Sequence, residues 1–108
     1  MLGFIEEAVY RDLKDILVIK LQDELSDFVL FGSRVSGKSH ADSDYDVLIV
    51  LKHKPDWELE REISDICFEI DLKYNVITDT LIISEPELQN LGGKQPVYIN
   101  ALANGLRL

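Results

Sequence analysis

The chain has 108 residues, a net charge of −9 from 11 Lys and Arg against 20 Asp and Glu, and 46% hydrophobic residues. The charge argues against a nucleic-acid or anionic-membrane face, which would need a basic surface, and the apolar content suffices for one small compact domain over 1–108. No apolar run approaches the roughly 20 residues of a membrane helix, the MLGFIEEAVYRD start turns acidic too early for a secretory leader, and the single cysteine, Cys67, excludes an internal disulfide and fits a reducing cytoplasm.

Ile5, Val9, Leu13, Ile16, Leu17, Leu21 and Leu25 recur at three- and four-residue spacing and predict an amphipathic helix over 3–25. Phe28-Val29-Leu30-Phe31, ended by Gly32, reads as a buried strand. Residues 32–45, with two glycines and four serines, read as a polar loop. Val47–Leu51 is apolar without alternation, the pattern of a central strand covered on both faces. Leu59, Ile63, Ile66, Cys67, Ile70 and Tyr74 restore helical spacing from Asp56 to about residue 73, and Asn75 breaks it. A third strand is expected over 76–84, then a helix start at Ser84, where Glu87 stands at capping-box spacing. Leu91-Gly92-Gly93 should break the chain again before a last helix from Pro96 to Asn104, capped by Gly105. The expected fold is α/β (α+β): a mixed sheet covered by helices in a single small domain.

Chemistry concentrates between Phe31 and Val50. A Gly-Ser turn directly after a buried strand can aim backbone N–H groups at an anion, and glycine allows close approach of a phosphate. Gly32 and Ser33 supply that turn, and Gly37 permits a second bend. Asp44 and Asp46 follow, running into the strand. Residues i and i+2 of an extended chain share a face, so the two carboxylates project together. Such a pair is unfavourable unless a cation lies between them, and hard oxygen donors with substrate phosphates suit Mg²⁺.

Gly32-Ser33, Gly37 and Ser43-Asp44-x-Asp46 match G-S-x3-G-x5-S-D-x-D at every defined position. This resembles the signature of the DNA polymerase β-like nucleotidyltransferases, and the short chain resembles their minimal members. The resemblance implies a nucleotidyltransferase fold in which two Mg²⁺ ions bind three carboxylates and the triphosphate of ATP. It also implies a hydroxyl that attacks the α-phosphorus with loss of pyrophosphate. Carried over, Asp44 and Asp46 are metal ligands, and Gly32, Ser33, Gly37 and Ser43 lie in the nucleotide-binding turn. The third carboxylate should lie on the neighbouring strand. Asp79 is the acid in VITDTLIIS and is costly there without a partner; Asp71 and Glu69, on the second helix, are its rivals.

Other residues read more plainly. Arg34 and Lys38 could touch phosphate or be solvated, Asp42 and His40 stand outside the motif, and His53 ends a strand. Cys67 is expected in the core and Tyr45 packed on the face opposite the aspartates. Trp57 suits either the start of the second helix or an exposed interface.

Only about 55 residues follow the second strand of the motif, enough to finish a sheet but not to add an acceptor-binding domain. The acceptor is therefore expected across an interface. The resemblance implies a HEPN-domain toxin as partner, with AMP transferred from ATP to one of its tyrosines in a toxin–antitoxin pair. Two other readings stand beside it: an antibiotic-type enzyme completed as a homo-oligomer, and a non-catalytic binding module. Ten of the acids lie between Asp56 and Glu87 against two basic residues, Arg61 and Lys73, which leaves an acidic helical face for a basic protein partner.

Overall fold

The structure, a computed structural model, describes residues 2–40, 42–90 and 94–108. The expected break at Leu91-Gly92-Gly93 lies outside the described residues. Three strands, β1 (Leu25–Phe31), β2 (Tyr45–Leu51) and β3 (Thr78–Ser84), form one sheet in the order β1-β2-β3. The β1–β2 pair is antiparallel and the β2–β3 pair parallel, so the sheet is mixed, as expected, with the apolar Val47–Leu51 run at its centre. Helices α1 (Phe4–Leu21) and α3 (Trp57–Tyr74) accompany α2 (Ser33–Ser36), α4 (Glu85–Leu88) and α5 (Pro96–Asn104). Among the described residues no helix is long and apolar enough to cross a membrane.

The period of two along β2 divides the core. Tyr45, Val47, Ile49 and Leu51 face α1 and α3, where Val9, Tyr10, Leu13, Leu17, Ile63, Ile66 and Ile70 pack on them. Leu48 and Val50 face the other way, with Val29, Ile83 and Ala101, beneath Tyr98 and Leu102 of α5. Cys67 is buried as expected, and its burial pushes the thiol up to about 11.

Several boundaries differ from the sequence reading, among them the start of the third strand, which opens at Thr78 and not at 76. The first helix stops at Leu21, because Gln22 turns to φ 49° and opens a short 3₁₀ turn over Gln22–Glu24. Leu25 therefore opens β1 instead of closing the helix, and the strand begins three residues before Phe28. The spacing from Leu21 to Leu25 suits either element, and no glycine or proline marks the change. Ile5 keeps the helical spacing but is 68% exposed. The 32–45 segment is not all loop: Ser33–Ser36 coils into α2 and Tyr45 already belongs to β2. The breaks at Asn75 (φ 54°) and at Ser84, whose hydroxyl accepts from the Glu87 N–H, fall where expected. Asp56, not singled out from sequence as a cap, accepts from the Leu59 N–H at 2.9 Å and starts α3.

Gly105 caps α5 as expected, its N–H donating to the Ala101 carbonyl at 2.8 Å, and close packing adds a second reason for glycine there. Its backbone is extended (φ −72°, ψ 165°), and a Cβ there would lie 2.3 Å from the Ala101 carbonyl oxygen and 2.8 Å from that of Leu30. The close approach lets Leu106 exchange two 2.8 Å hydrogen bonds with Leu30, docking the tail on the outer edge of β1. Gly105→Ala is expected to cost about 2–3 kcal/mol, because backbone must move to admit a methyl group, lowering Tm by roughly 10 °C or more in a thermal melt.

Candidate active site

The site is built at one end of β2. Asp46 is paired in register with Asp79 on one side and with Phe31 on the other. Parallel partners share a sheet face, so Asp46 and Asp79 stand on the α5 side, the face of Leu48 and Val50. Asp44, two residues before Asp46, lies in the loop that leads into the strand. Burial, then the charges of Asp79 and Asp44, push the Asp46 carboxyl up to about 6. The three acids thus share one electrostatic environment. Asp79 is exposed at the start of β3, so the strand does not bury it at the cost expected from sequence. Of its rivals, Asp71 accepts the Thr78 N–H at 2.9 Å, which fastens the entry to β3, and Glu69, also exposed, lies on α3.

Gly32 is fitted to Asp46. Its φ of +84° is a conformation that side chains disfavour, and a Cβ would fall 2.0 Å from Asp46 Oδ2. The glycine therefore lets the turn after β1 lie directly against the acid. Ser33 follows at the start of α2, and its hydroxyl has no partner among the described residues. Gly37 ends α2 at φ +80° with open space around it.

Ser43 serves the loop itself. Its hydroxyl accepts the His40 N–H at 2.9 Å, and its carbonyl accepts from Arg34 Nη2 at 2.7 Å and Nε at 3.1 Å. Arg34 also donates to Glu6 at 3.0 Å and lies 4.2 Å from the centre of the Tyr45 ring. The guanidinium thereby clamps the chain just before Asp44 onto α1 and β2. Its phosphate-contact reading from sequence gives way to this positioning role, whose sequence signal is the aromatic residue inside D-x-D. Tyr45 is buried, 5.2 Å from Tyr10 between ring centres, as expected of the residue between the aspartates. Lys38 is exposed, as is His53, which pairs with Glu24 at 3.1 Å. Trp57 is 69% exposed.

The donor set is hard oxygen on adjacent strands, with like charges that a divalent cation would relieve. No group of three acids, histidines or cysteines closes a ready metal cage among the described residues. The arrangement fits Mg²⁺ nonetheless, because that ion is commonly held by one or two carboxylates with phosphate and water completing its shell.

The raised Asp46 carboxyl has a measurable consequence. A carboxyl near 4 in the unfolded chain that titrates near 6 when folded holds its proton more tightly in the folded state. Stability of the metal-free protein should fall as pH rises from about 4 to about 6, by on the order of 2 kcal/mol after screening by solvent. Glu6, lowered by the Gly3 N–H and by Arg34, and Asp12, lowered by Lys73 and Tyr74, act oppositely: stability they add is lost as pH falls through their folded values. Urea unfolding of wild type and Asp46→Asn across pH 4.5–7.5 isolates the first effect. The wild type should lose stability relative to the variant as pH rises.

Comparison with known proteins places this geometry. The family model described as "Polymerase beta, Nucleotidyltransferase" matches residues 11–90. Two proteins of Methanocaldococcus jannaschii named "Putative protein adenylyltransferase" are similar. MJ0141 is 36% identical over 76 residues, 70% of this chain and 76% of the relative; MJ0604 is 30% identical over 100 residues, 93% and 94%. A solved structure described as "Crystal structure of the toxin-antitoxin with AMP-PNP" shares the fold at TM-score 0.56 and 18% identity, over 89% of this chain and 69% of that one. The motif turn, the paired acids and the matched span agree, and the chain belongs to the polymerase beta nucleotidyltransferase family.

Proposed function

We propose that this chain, acting as a single minimal domain, transfers AMP from ATP to a hydroxyl of a protein partner. The acceptor is a tyrosine of a HEPN-type toxin, and the chain serves as its antitoxin. The observation that carries the reading is the Asp46–Asp79 register beside the Gly32 turn. The names of the two archaeal relatives support adenylyl transfer to protein, and the fold shared with a toxin–antitoxin holding AMP-PNP supports nucleotide and partner class.

In this mechanism Asp44, Asp46 and Asp79 would hold two Mg²⁺ ions, which when bound would supply charge neutralisation at the triphosphate and a lowered pKa for the attacking hydroxyl. Gly32 and Ser33 would receive the outer phosphates, while Gly37 closes α2 behind them and Ser43 braces the loop through His40 and Arg34. The acceptor hydroxyl would give its proton to water, its oxygen would bond to the α-phosphorus as the bond from that phosphorus to the bridging oxygen breaks, and pyrophosphate would leave. Arg34 keeps the aspartate segment in place. Trp57, Phe68 and Leu72, large apolar side chains at least 61% exposed on α3, offer contact area for a partner among the acids of that helix.

The test uses ATP labelled at either the α- or the γ-phosphate, Mg²⁺ and the product of the adjacent gene. Label from the α position should appear on that protein, and γ label should not. Inhibition of the partner that survives with no α label transferred would support contact neutralisation instead and overturn the proposal.

A further inference from the structure

We infer that the cavity between α2 and α5 receives the nucleoside base of the substrate, an assignment that rests on the transfer reading above. The cavity has a volume of about 440 Å³, within the range of small-molecule sites and much larger than a phosphate needs. Phe31 and Gly32 form its wall on the sheet side. Phe31 is the register partner of Asp46, and Gly32 touches the Asp46 carboxylate. The cavity thus begins where the proposed phosphate turn begins, on the side of Asp46 away from Asp79. A nucleotide anchored at the acids by its phosphates would reach it without crossing a strand.

The lining matches a base better than an anion. Val35 of α2 and Val97 and Ala101 of α5 supply apolar walls, and no Lys or Arg lines it among the described residues. Asn100 and Asn104 also line it, one helical turn apart on the same stripe of α5. A carboxamide carries a donor and an acceptor side by side, which matches the adjacent ring nitrogen and amino group of an adenine edge. The stripe is exposed at Asn100 and Asn104, and α5 as a whole carries no charged residue, PVYINALAN. A merely solvated face would not be expected to lack charge altogether. The competing occupant of the same walls is an acceptor side chain.

Calorimetry with ATP, UTP and inorganic triphosphate, each with Mg²⁺, separates these readings in the full chain. Wild type should bind ATP at least about tenfold tighter than inorganic triphosphate and tighter than UTP. Asn104→Trp, which fills the cavity from an exposed position, should remove that advantage and leave triphosphate affinity unchanged. Asn100→Leu, which keeps helix propensity and loses only the amide, should narrow the ATP-to-UTP ratio; it provides the test if the tryptophan variant does not fold. Equal wild-type affinity for ATP and triphosphate overturns the base site while leaving the transfer reading intact, as does an ATP advantage that persists in both variants. Failure of both ligands to bind with Mg²⁺ overturns the transfer reading and the base site together.

Discussion

Asp46→Asn is expected to lower transfer by about 10³-fold, the scale seen when a charged group at the reacting centre is removed, while making the metal-free protein more stable at neutral pH. Both effects have one cause. Asp46 is partly buried beside Asp79 with Asp44 near, and its carboxyl is pushed up to about 6. At neutral pH the charge is therefore held against its preference, and the neutral amide removes that cost. A gain of about 1–2 kcal/mol corresponds to a Tm rise of roughly 5–10 °C in a domain of this size. A residue conserving the fold would show the reverse, a loss of stability on substitution. Thermal melts of the two proteins in EDTA, alongside the labelled-transfer assay, read both effects.

Gly32→Ala should be nearly as damaging to activity, by about 10²-fold or more, with only a moderate change in stability. Two penalties act. The backbone at φ +84°, ψ −166° is nearly reserved to glycine and costs a side chain about 1–3 kcal/mol. The added methyl would lie 2.0 Å from Asp46 Oδ2, so the carboxylate must swing away. A short side chain can turn at little thermodynamic cost, but the turn takes it out of its place beside Asp79. Two other glycines frame the result. Gly37 is left-handed (φ +80°, ψ 12°) in open space, so Gly37→Ala meets only the milder αL penalty and should lose less stability than Gly32→Ala, whose backbone (φ +84°, ψ −166°) is nearly reserved to glycine. Gly105→Ala meets carbonyl oxygens that cannot turn away, and should be the least stable of the three. The measurement is paired: urea unfolding for each variant, and transfer rate for Gly32→Ala.

Much of this organisation is legible in the residues because local pattern and tertiary role agree. The unbroken Val47–Leu51 run is central because only a strand covered on both faces can be apolar throughout. The D-x-D spacing brings the Asp44 charge to bear on Asp46 although β2 opens only at Tyr45, whereas the burial cost read for Asp79 from its apolar neighbours is absent, because that acid is exposed at the strand's start. What could not be read belongs to contacts distant in sequence. The fit of Gly32 to Asp46 spans a whole loop, and the Arg34 bonds to Glu6 and Ser43 join three segments. Gly105 carries a cap signal, yet the space it leaves is for the backbone of β1 and its own helix. The end of α1 escaped because Leu21 and Leu25 satisfy helical spacing while the backbone turns at Gln22 without a glycine. The cavity against α5 gave no motif, since its walls come from two helices and a strand end.

In the proposed function the acids at the start of β2 and β3 would hold a triphosphate through a divalent cation, which inverts the sign of a site on a chain of net charge −9. Calorimetric titration of ATP into the wild-type protein, in excess Mg²⁺ and again in EDTA, addresses this most directly. Affinity should be at least about 100-fold higher with Mg²⁺, because without the cation three carboxylates face a polyanion. Equal affinity in EDTA would contradict the account.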